Sequence, residues 1–458
     1  MSMQKTIDKV EQMLMPLANV VSSNRYLLCM RDSFSTLVTF IIVGSLFGIL
    51  NWVVFEPFGT ILGDGGLNLG KFFSGGLAGD AYAASAFVDV CRKIQGLCGA
   101  VVNVTFGIFS LLLSFVFGYR LAKMWKSTEP LLPAAVSLAS YLLVTPHSIK
   151  TFVQNPSGAF ESASVAGFPM SYFGSSAVLT SIIVTTFVTW MFVKLTKTPK
   201  LTIKLPDSVP GAVSKSFAVV IPAIITLFVV TFIQSFLTWI GKPAINDVLY
   251  GILQAPLMNF SQGLGFALAY QFLAWFFWWF GIHGHNVTAV IQNMVYLPAQ
   301  LANQTGEAAY IFTNGFFEAT LGYMIALPIA IFIVSKRDDW KAVSKLGMPA
   351  MLFNIQEPLA FGIPIVLNPL LLIPYVISPL LNTVIGFLLI SGGIMPVFKY
   401  VVPWTMPQFF GGIIGTGSIM GGLYQLLCVA IDVLIFIPFV KAANATAEKE
   451  KEALEKTL

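Results

Sequence analysis

Long apolar runs separated by short polar or basic stretches dominate the chain, at about 34–55, 99–121, 131–146, 175–195 and 215–240 in its first half. Each is close to the roughly 20 residues that a helix needs to cross a bilayer, so each is predicted to be a membrane span. After Lys242 the apolar stretches fall at about 263–281, 287–301, 311–334, 346–366, 367–392, 395–415 and 418–440. Two of these are interrupted, one by Pro349, Pro358 and Pro364, the other by Pro396, Pro403 and Pro407 with Gly411, Gly412, Gly415 and Gly417. Broken backbone at membrane depth is tolerated where protein buries it or where it lines a cavity, so these read as re-entrant hairpins. Before the first span, Ile7, Val10, Leu14 and Leu17 recur at helical spacing with Lys5, Asp8, Lys9 and Glu11 turned elsewhere. That pattern predicts a surface amphipathic helix, either in the membrane interface or packed on the protein. Residues 56–98 are glycine-rich and read as a loop. The fold expected is an all-α polytopic membrane protein of roughly ten transmembrane helices, with surface amphipathic helices and re-entrant hairpins.

Composition agrees. The chain is 56% hydrophobic and only 10% charged, where soluble domains carry about 25% charged residues. The net charge of +5 comes from short clusters at span ends, so it carries orientation and implies no nucleic acid. Arg120, Lys123 and Lys126, and then Lys194, Lys197, Lys200 and Lys204, fall on one side if the N-terminus is cytoplasmic. The loop at 146–174, poor in Lys and Arg, then lies outside. The cluster Lys336, Arg337, Lys341 and Lys345 is also cytoplasmic only if 287–301 crosses; otherwise it is an exception to the bias. Cys29, Cys91, Cys98 and Cys428 show no metal-ligand spacing and suit reduced, packed thiols. No metal or cofactor is expected, and no P-loop, GxSxG elbow, HExxH or dinucleotide fingerprint occurs.

The candidate chemistry concentrates in two stretches. GIHGHN at 281–286 holds two of the three histidines and follows an aromatic run at 275–280. NIQEPLAFGIP at 354–364 sets Glu357 beside Pro358 in apolar sequence. Polar groups at membrane depth are costly unless they meet a ligand or one another. His283, between glycines, can donate and accept hydrogen bonds to a hydroxyl-bearing solute, or bond a helix-end carbonyl. His285 is a weaker candidate, and Asn286 and Asn293 either add amide contacts or cap a broken helix. Glu357 can accept two hydroxyl bonds and take a proton from a hydroxyl under attack, or bond the hairpin's own amides. Asn354 and Gln356 extend that polar edge, and Trp404 and Gln408 lie on the other broken segment. Trp275, Trp278 and Trp279 read as an interfacial belt, with stacking on a sugar face as the alternative. Glu318 reads as interfacial, near a span end. His147 reads as exposed.

At these residues the chain resembles the membrane (IIC) component of a bacterial sugar phosphotransferase system of the lactose, cellobiose and diacetylchitobiose type. The likeness is carried by SSNRYLLCMRDSF at 22–34, KLPDSVPGAVSKSF at 204–217, GIHG at 281–284, NIQEPLAFGIP at 354–364 and PWTMP at 403–407. It implies a homodimer in the plasma membrane, formed by an N-terminal domain at 34–240 that follows a surface segment at 1–33. It implies a C-terminal domain at 241–442 that binds a disaccharide between re-entrant hairpins, followed by a cytoplasmic tail at 443–458. A separate cytoplasmic IIB protein carrying phosphocysteine would phosphorylate the sugar's 6-hydroxyl. His283 and Glu357 would contact the sugar, with Glu357 orienting or deprotonating that hydroxyl. The GHN continuation at 284–286, with His285 beside Asn286, and Glu318 depart from the family pattern. The chain's own cysteines are not the phosphocysteine. An ion-coupled secondary sugar transporter, with Glu357 or Glu318 as the ion site, is the alternative, although no internal repeat supports it.

Overall fold

A computed structural model describes residues 24–455 apart from 60, 65–66, 155–159, 175–176, 207–208, 280–283, 364 and 366–367. The surface helix expected at 3–20 and His283 lie outside the described residues. Within them the protein is helical except for one two-stranded hairpin. Six described helices are long and apolar enough to cross a membrane, and Leu131–Leu143 and Leu264–Trp279 are shorter apolar helices. The chain divides by contacts into two units, residues 24–41 with 103–258 and residues 42–102 with 259–455. The division is discontinuous, whereas the sequence suggests one cut near residue 240.

The unit built on 103–258 packs Phe109–Met124, Leu131–Leu143 and Val178–Thr196 together. Lipid chains are as apolar as leucine, so small side chains and hydroxyl pairs, more than hydrophobicity, hold such helices. Gly118 faces Ala134 and Ser137, and a Cβ placed there would lie 3.2 Å from the Ser137 Cβ. Ser137 and Thr189 share a buried hydroxyl hydrogen bond of 2.8 Å, and Ser181 donates to the Ser110 carbonyl at 2.8 Å. The 146–174 loop contains an antiparallel hairpin, Ser148–Gln154 with Phe160–Ala166, paired Ser148 to Ala166. Its β-branched alternation in SIKTFVQ is a short strand signal, too short to register among the apolar runs.

In the other unit, the region expected to be a loop contains the helix Ala86–Asn103. Val88, Cys91, Cys98 and Val102 form its buried face, and Asp89 pairs with Lys93 at 2.8 Å on the exposed one. A helix with so narrow an apolar stripe does not register as a hydrophobic run. The doubtful stretch at 287–301 is helical throughout, as Gly284–Ile291, a π-helical turn Gln292–Tyr296 and Leu297–Thr305. Its second half is buried in protein. Gln300 accepts from the Gly315 amide at 2.7 Å, and Asn303 donates to the Tyr310 carbonyl at 2.7 Å and the Phe398 carbonyl at 3.0 Å. The basic cluster opens the helix Asp338–Met351. Arg337 there bonds Asp339 at 2.7 Å and holds its carboxyl below the usual range.

The three tryptophans do not form an interfacial belt. Trp275, Trp278 and Trp279 are 0%, 6% and 1% exposed and pack in the core of this unit with Leu327, Tyr375 and Phe436. Trp279 donates to the Asn368 carbonyl at 2.9 Å, while the Asn368 side chain caps Pro369–Ser391 through the Leu370 amide at 3.0 Å. An aromatic run has the same composition in a belt and in a core. What separates the two is whether its polar edges meet water or protein. The final helix, Ile419–Glu455, runs unbroken from its apolar part into the charged tail.

Candidate functional site

The broken segments predicted from proline and glycine are where a polar cavity forms. Asp338–Met351 stops at Met351, and the chain turns at Asn354, whose φ of 59° lies in the left-handed region that asparagine tolerates better than most residues. The turn aims the Asn354 amide across the unit. Its Nδ2 donates to the carbonyls of Trp404 at 2.7 Å and Met406 at 2.9 Å, and its Oδ1 accepts from Gln408 Nε2 at 2.8 Å. Asn354 and Gln408, read from the sequence as sugar contacts, therefore bond each other and clasp the two broken segments. Gln356 is buried and accepts the Tyr375 hydroxyl at 2.7 Å. Glu357 begins the short helix Glu357–Gly362 with Pro358 in its first turn.

Beside this clasp lies a cavity of about 320 Å³, within the range of small-molecule sites. Asn354, Gln356 and Trp404 line it, as the sequence suggests, but so do His285, Glu318, Gln292 and Asn314. Gln408 is not among the lining residues. Trp404 is 53% exposed, so its indole face is open. His285, read as the weaker histidine, has a defined setting: Trp278 Nε1 donates to its Nδ1 at 3.3 Å, and the Trp275 ring meets it edge-on at 4.7 Å. With Nδ1 accepting, the neutral ring carries its proton on Nε2. Glu318 stands in the cavity wall, on Asn314–Ala319, and not at an exposed span end. Asn314 Oδ1 is buried with no hydrogen-bond partner among the described residues, an acceptor suited to a solute hydroxyl.

Asn314 and Gln292 were legible as polar residues in apolar sequence. Asn314 also follows a helix-start signal, with Thr313 Oγ1 accepting from the Phe316 amide at 3.2 Å. Asp432 was equally legible in LLCVAIDVLIFIP yet is not among the sequence candidates. It is fully buried, and its Oδ2 accepts from Asn382 Nδ2 at 2.8 Å. The same amide donates to the Thr320 carbonyl at 3.1 Å. Thr320 Oγ1 accepts from Gln271 at 2.7 Å, and Gln271 Oε1 accepts from Trp275 Nε1 at 3.2 Å. A buried chain of hydrogen bonds thus joins Asp432 to the ring that packs on His285. Asp432→Leu should lower stability by about 1–3 kcal/mol, because it strips a partner from a buried network, and Asp432→Asn should recover most of that. Thermal unfolding in detergent measures both; a leucine variant as stable as wild type removes Asp432 from the structural network.

Membrane helices interrupted around a cavity that polar side chains help to line define a solute transporter by class. The phosphotransferase system EIIC family matches residues 31–379. The chain is 32% identical to the oligo-beta-mannoside-specific EIIC component of Bacillus subtilis (strain 168), over 98% of this chain and 97% of that one. It is 29% identical to the lichenan permease IIC component of the same organism, over 99% and 97%. With the cellobiose-specific EIIC component of Lactococcus lactis subsp. lactis (strain IL1403) it shares 26% identity, over 96% and 98%. The crystal structure of the transporter ChbC, the IIC component of an N,N'-diacetylchitobiose-specific phosphotransferase system, superposes with a TM-score of 0.81. That match is 28% identical and covers 97% of this chain and 99% of ChbC.

The chain belongs to the phosphotransferase system EIIC family, of the lactose, cellobiose and chitobiose type. It is a multi-pass membrane sugar permease that works with a IIB partner.

Proposed function

We propose that this permease carries a β-linked disaccharide such as cellobiose or diacetylchitobiose, holds it in the cavity beside Asn354, and presents its 6-hydroxyl to the phosphocysteine of a separate IIB protein. The observation that carries this reading is the cavity itself, lined by amide, imidazole, carboxylate and indole groups together. Those are the groups that bond sugar hydroxyls and cover a sugar's apolar face. Glu357 supplies the carboxylate that orients or deprotonates the hydroxyl, and His283 a further hydrogen bond; both assignments rest on the family resemblance. Asn286, in the same stretch as His283, is assigned to the sugar as an amide able to bond hydroxyls. The protein acts as a homodimer through residues 34–240, with sugar bound by 241–442. The names of the relatives, an oligo-beta-mannoside-specific component and a lichenan permease, widen the range of sugars to be tested.

Isothermal titration of the purified protein with cellobiose, mannobiose, diacetylchitobiose, lactose and glucose tests the assignment. Binding of one β-disaccharide well above glucose supports it. Uphill uptake into vesicles on an ion gradient alone, without a phosphoryl donor, would replace it with ion-coupled transport. Within the leading reading, His283→Ala should weaken sugar binding by about 1–3 kcal/mol, the cost of a hydrogen bond left unmade. Equal affinity in the variant excludes His283 from the site.

A further inference from the structure

A second cavity lies apart from the sugar cavity. It is an open cleft of about 860 Å³ in the unit built on 103–258. Three spans contribute a lysine to its rim, each at the end that positive-inside bias assigns to the cytoplasm. Lys126 follows Phe109–Met124, Lys197 follows Val178–Thr196, and Lys215 stands at the head of the apolar run Val213–Trp239. Lys197 donates to the Trp125 carbonyl at 2.6 Å, which uses one of its three ammonium hydrogens. Lys215 pairs with Glu129 at 2.8 Å. Three lysines against one glutamate leave the rim cationic. Below it, Leu132, Phe192 and Val219 make an apolar wall.

Lys126 itself is a second observation. It sits just past a helix C-terminus with φ of 57°, where the Ser127 amide reaches back to the Ala122 carbonyl at 2.9 Å. That left-handed position normally belongs to glycine, because a Cβ is penalised there. A lysine at a position that favours glycine points to a use for its charge.

We propose that this cleft binds an anionic phospholipid of the cytoplasmic leaflet, with its phosphate among Lys126, Lys197 and Lys215 and an acyl chain along Leu132, Phe192 and Val219. Basic pockets between membrane helices on the cytoplasmic side suit such headgroups, and each lysine near the surface adds about fivefold in affinity. The chemistry asks for a cation cluster and an apolar wall together. A free anion would use only the first.

The test is native mass spectrometry of the full chain in detergent, titrated with phosphatidylglycerol or with phosphatidylcholine of the same acyl composition, beside thermal unfolding with each lipid or with inorganic phosphate. Phosphatidylglycerol should be retained and should raise the unfolding temperature, and phosphatidylcholine and inorganic phosphate should do neither. Lys126→Gly should lower phosphatidylglycerol affinity about fivefold while leaving lipid-free stability equal or higher, since glycine fits the backbone. Lys126→Arg should retain the affinity. The proposal is overturned if both lipids bind alike, if inorganic phosphate stabilises equally, or if Lys126→Gly binds phosphatidylglycerol like wild type. It is also overturned if that variant loses only its coupling to the IIB protein, which would make the cleft a protein-docking surface.

Discussion

Glu357→Gln should yield a protein that purifies normally and no longer supports phosphorylation of sugar, with the rate falling by about 10²–10⁴, the usual contribution of a positioned general base. Glutamine keeps the shape and one acceptor oxygen but cannot take a proton. The backbone places Glu357 at the start of Glu357–Gly362, next to Gln356, which lines the cavity, and three residues past Asn354, which clasps it. On the proposed reading the change is made beside the bound sugar and spares the Asn354 clasp. Vesicles with purified IIB, the upstream phosphoryl carriers and phosphoenolpyruvate measure turnover, and titration of the same preparation measures binding. Retained affinity with lost turnover assigns Glu357 to proton transfer. Loss of both assigns it mainly to gripping the sugar, and wild-type values for both would falsify its place in the site.

What the sequence conveyed depended on the kind of signal. Proline and glycine inside apolar runs located the broken segments, because backbone that cannot continue a helix must be satisfied by protein. Asn354, Gln356 and Trp404 follow from that alone. What each polar side chain does was not legible, since it depends on contacts across the fold. Asn354 and Gln408 look from the sequence like two sugar ligands, and in space they are one hydrogen-bonded pair. His285 looks incidental, yet Trp278 seven residues earlier orients it. Glu318 looks interfacial because hydropathy locates a span end without saying whether that end faces lipid, water or a cavity. The helix Ala86–Asn103 stayed hidden for a related reason: Asp89, Arg92, Lys93 and Gln95 interrupt its apolar residues, and only tertiary packing shows that Val88, Cys91, Cys98 and Val102 are covered.

Gly284→Ala should be the most disruptive single-methyl change in this region. The glycines of GIHGHN suggest room for a ligand, but Gly284 has another use. It begins Gly284–Ile291 where that helix lies against Leu264–Trp279, and a Cβ there would overlap the Ala274 carbonyl. The obstacle is backbone, so no rotamer change relieves it, and the two helices must separate. Overpacking of this kind costs about 1–3 kcal/mol or more. Separation would also break the geometry that brings Trp278 and Trp275 onto His285, so sugar affinity should fall together with stability. His285→Ala makes the necessary contrast, as it removes the imidazole without forcing the helices apart. If Gly284→Ala lowers unfolding temperature and affinity while His285→Ala lowers affinity with the smaller loss of stability expected from one unpaired indole N–H, the close approach of the two helices is what positions the cavity wall. A Gly284→Ala protein with wild-type stability and affinity would show that the helices have room to part, and that the site does not depend on their contact.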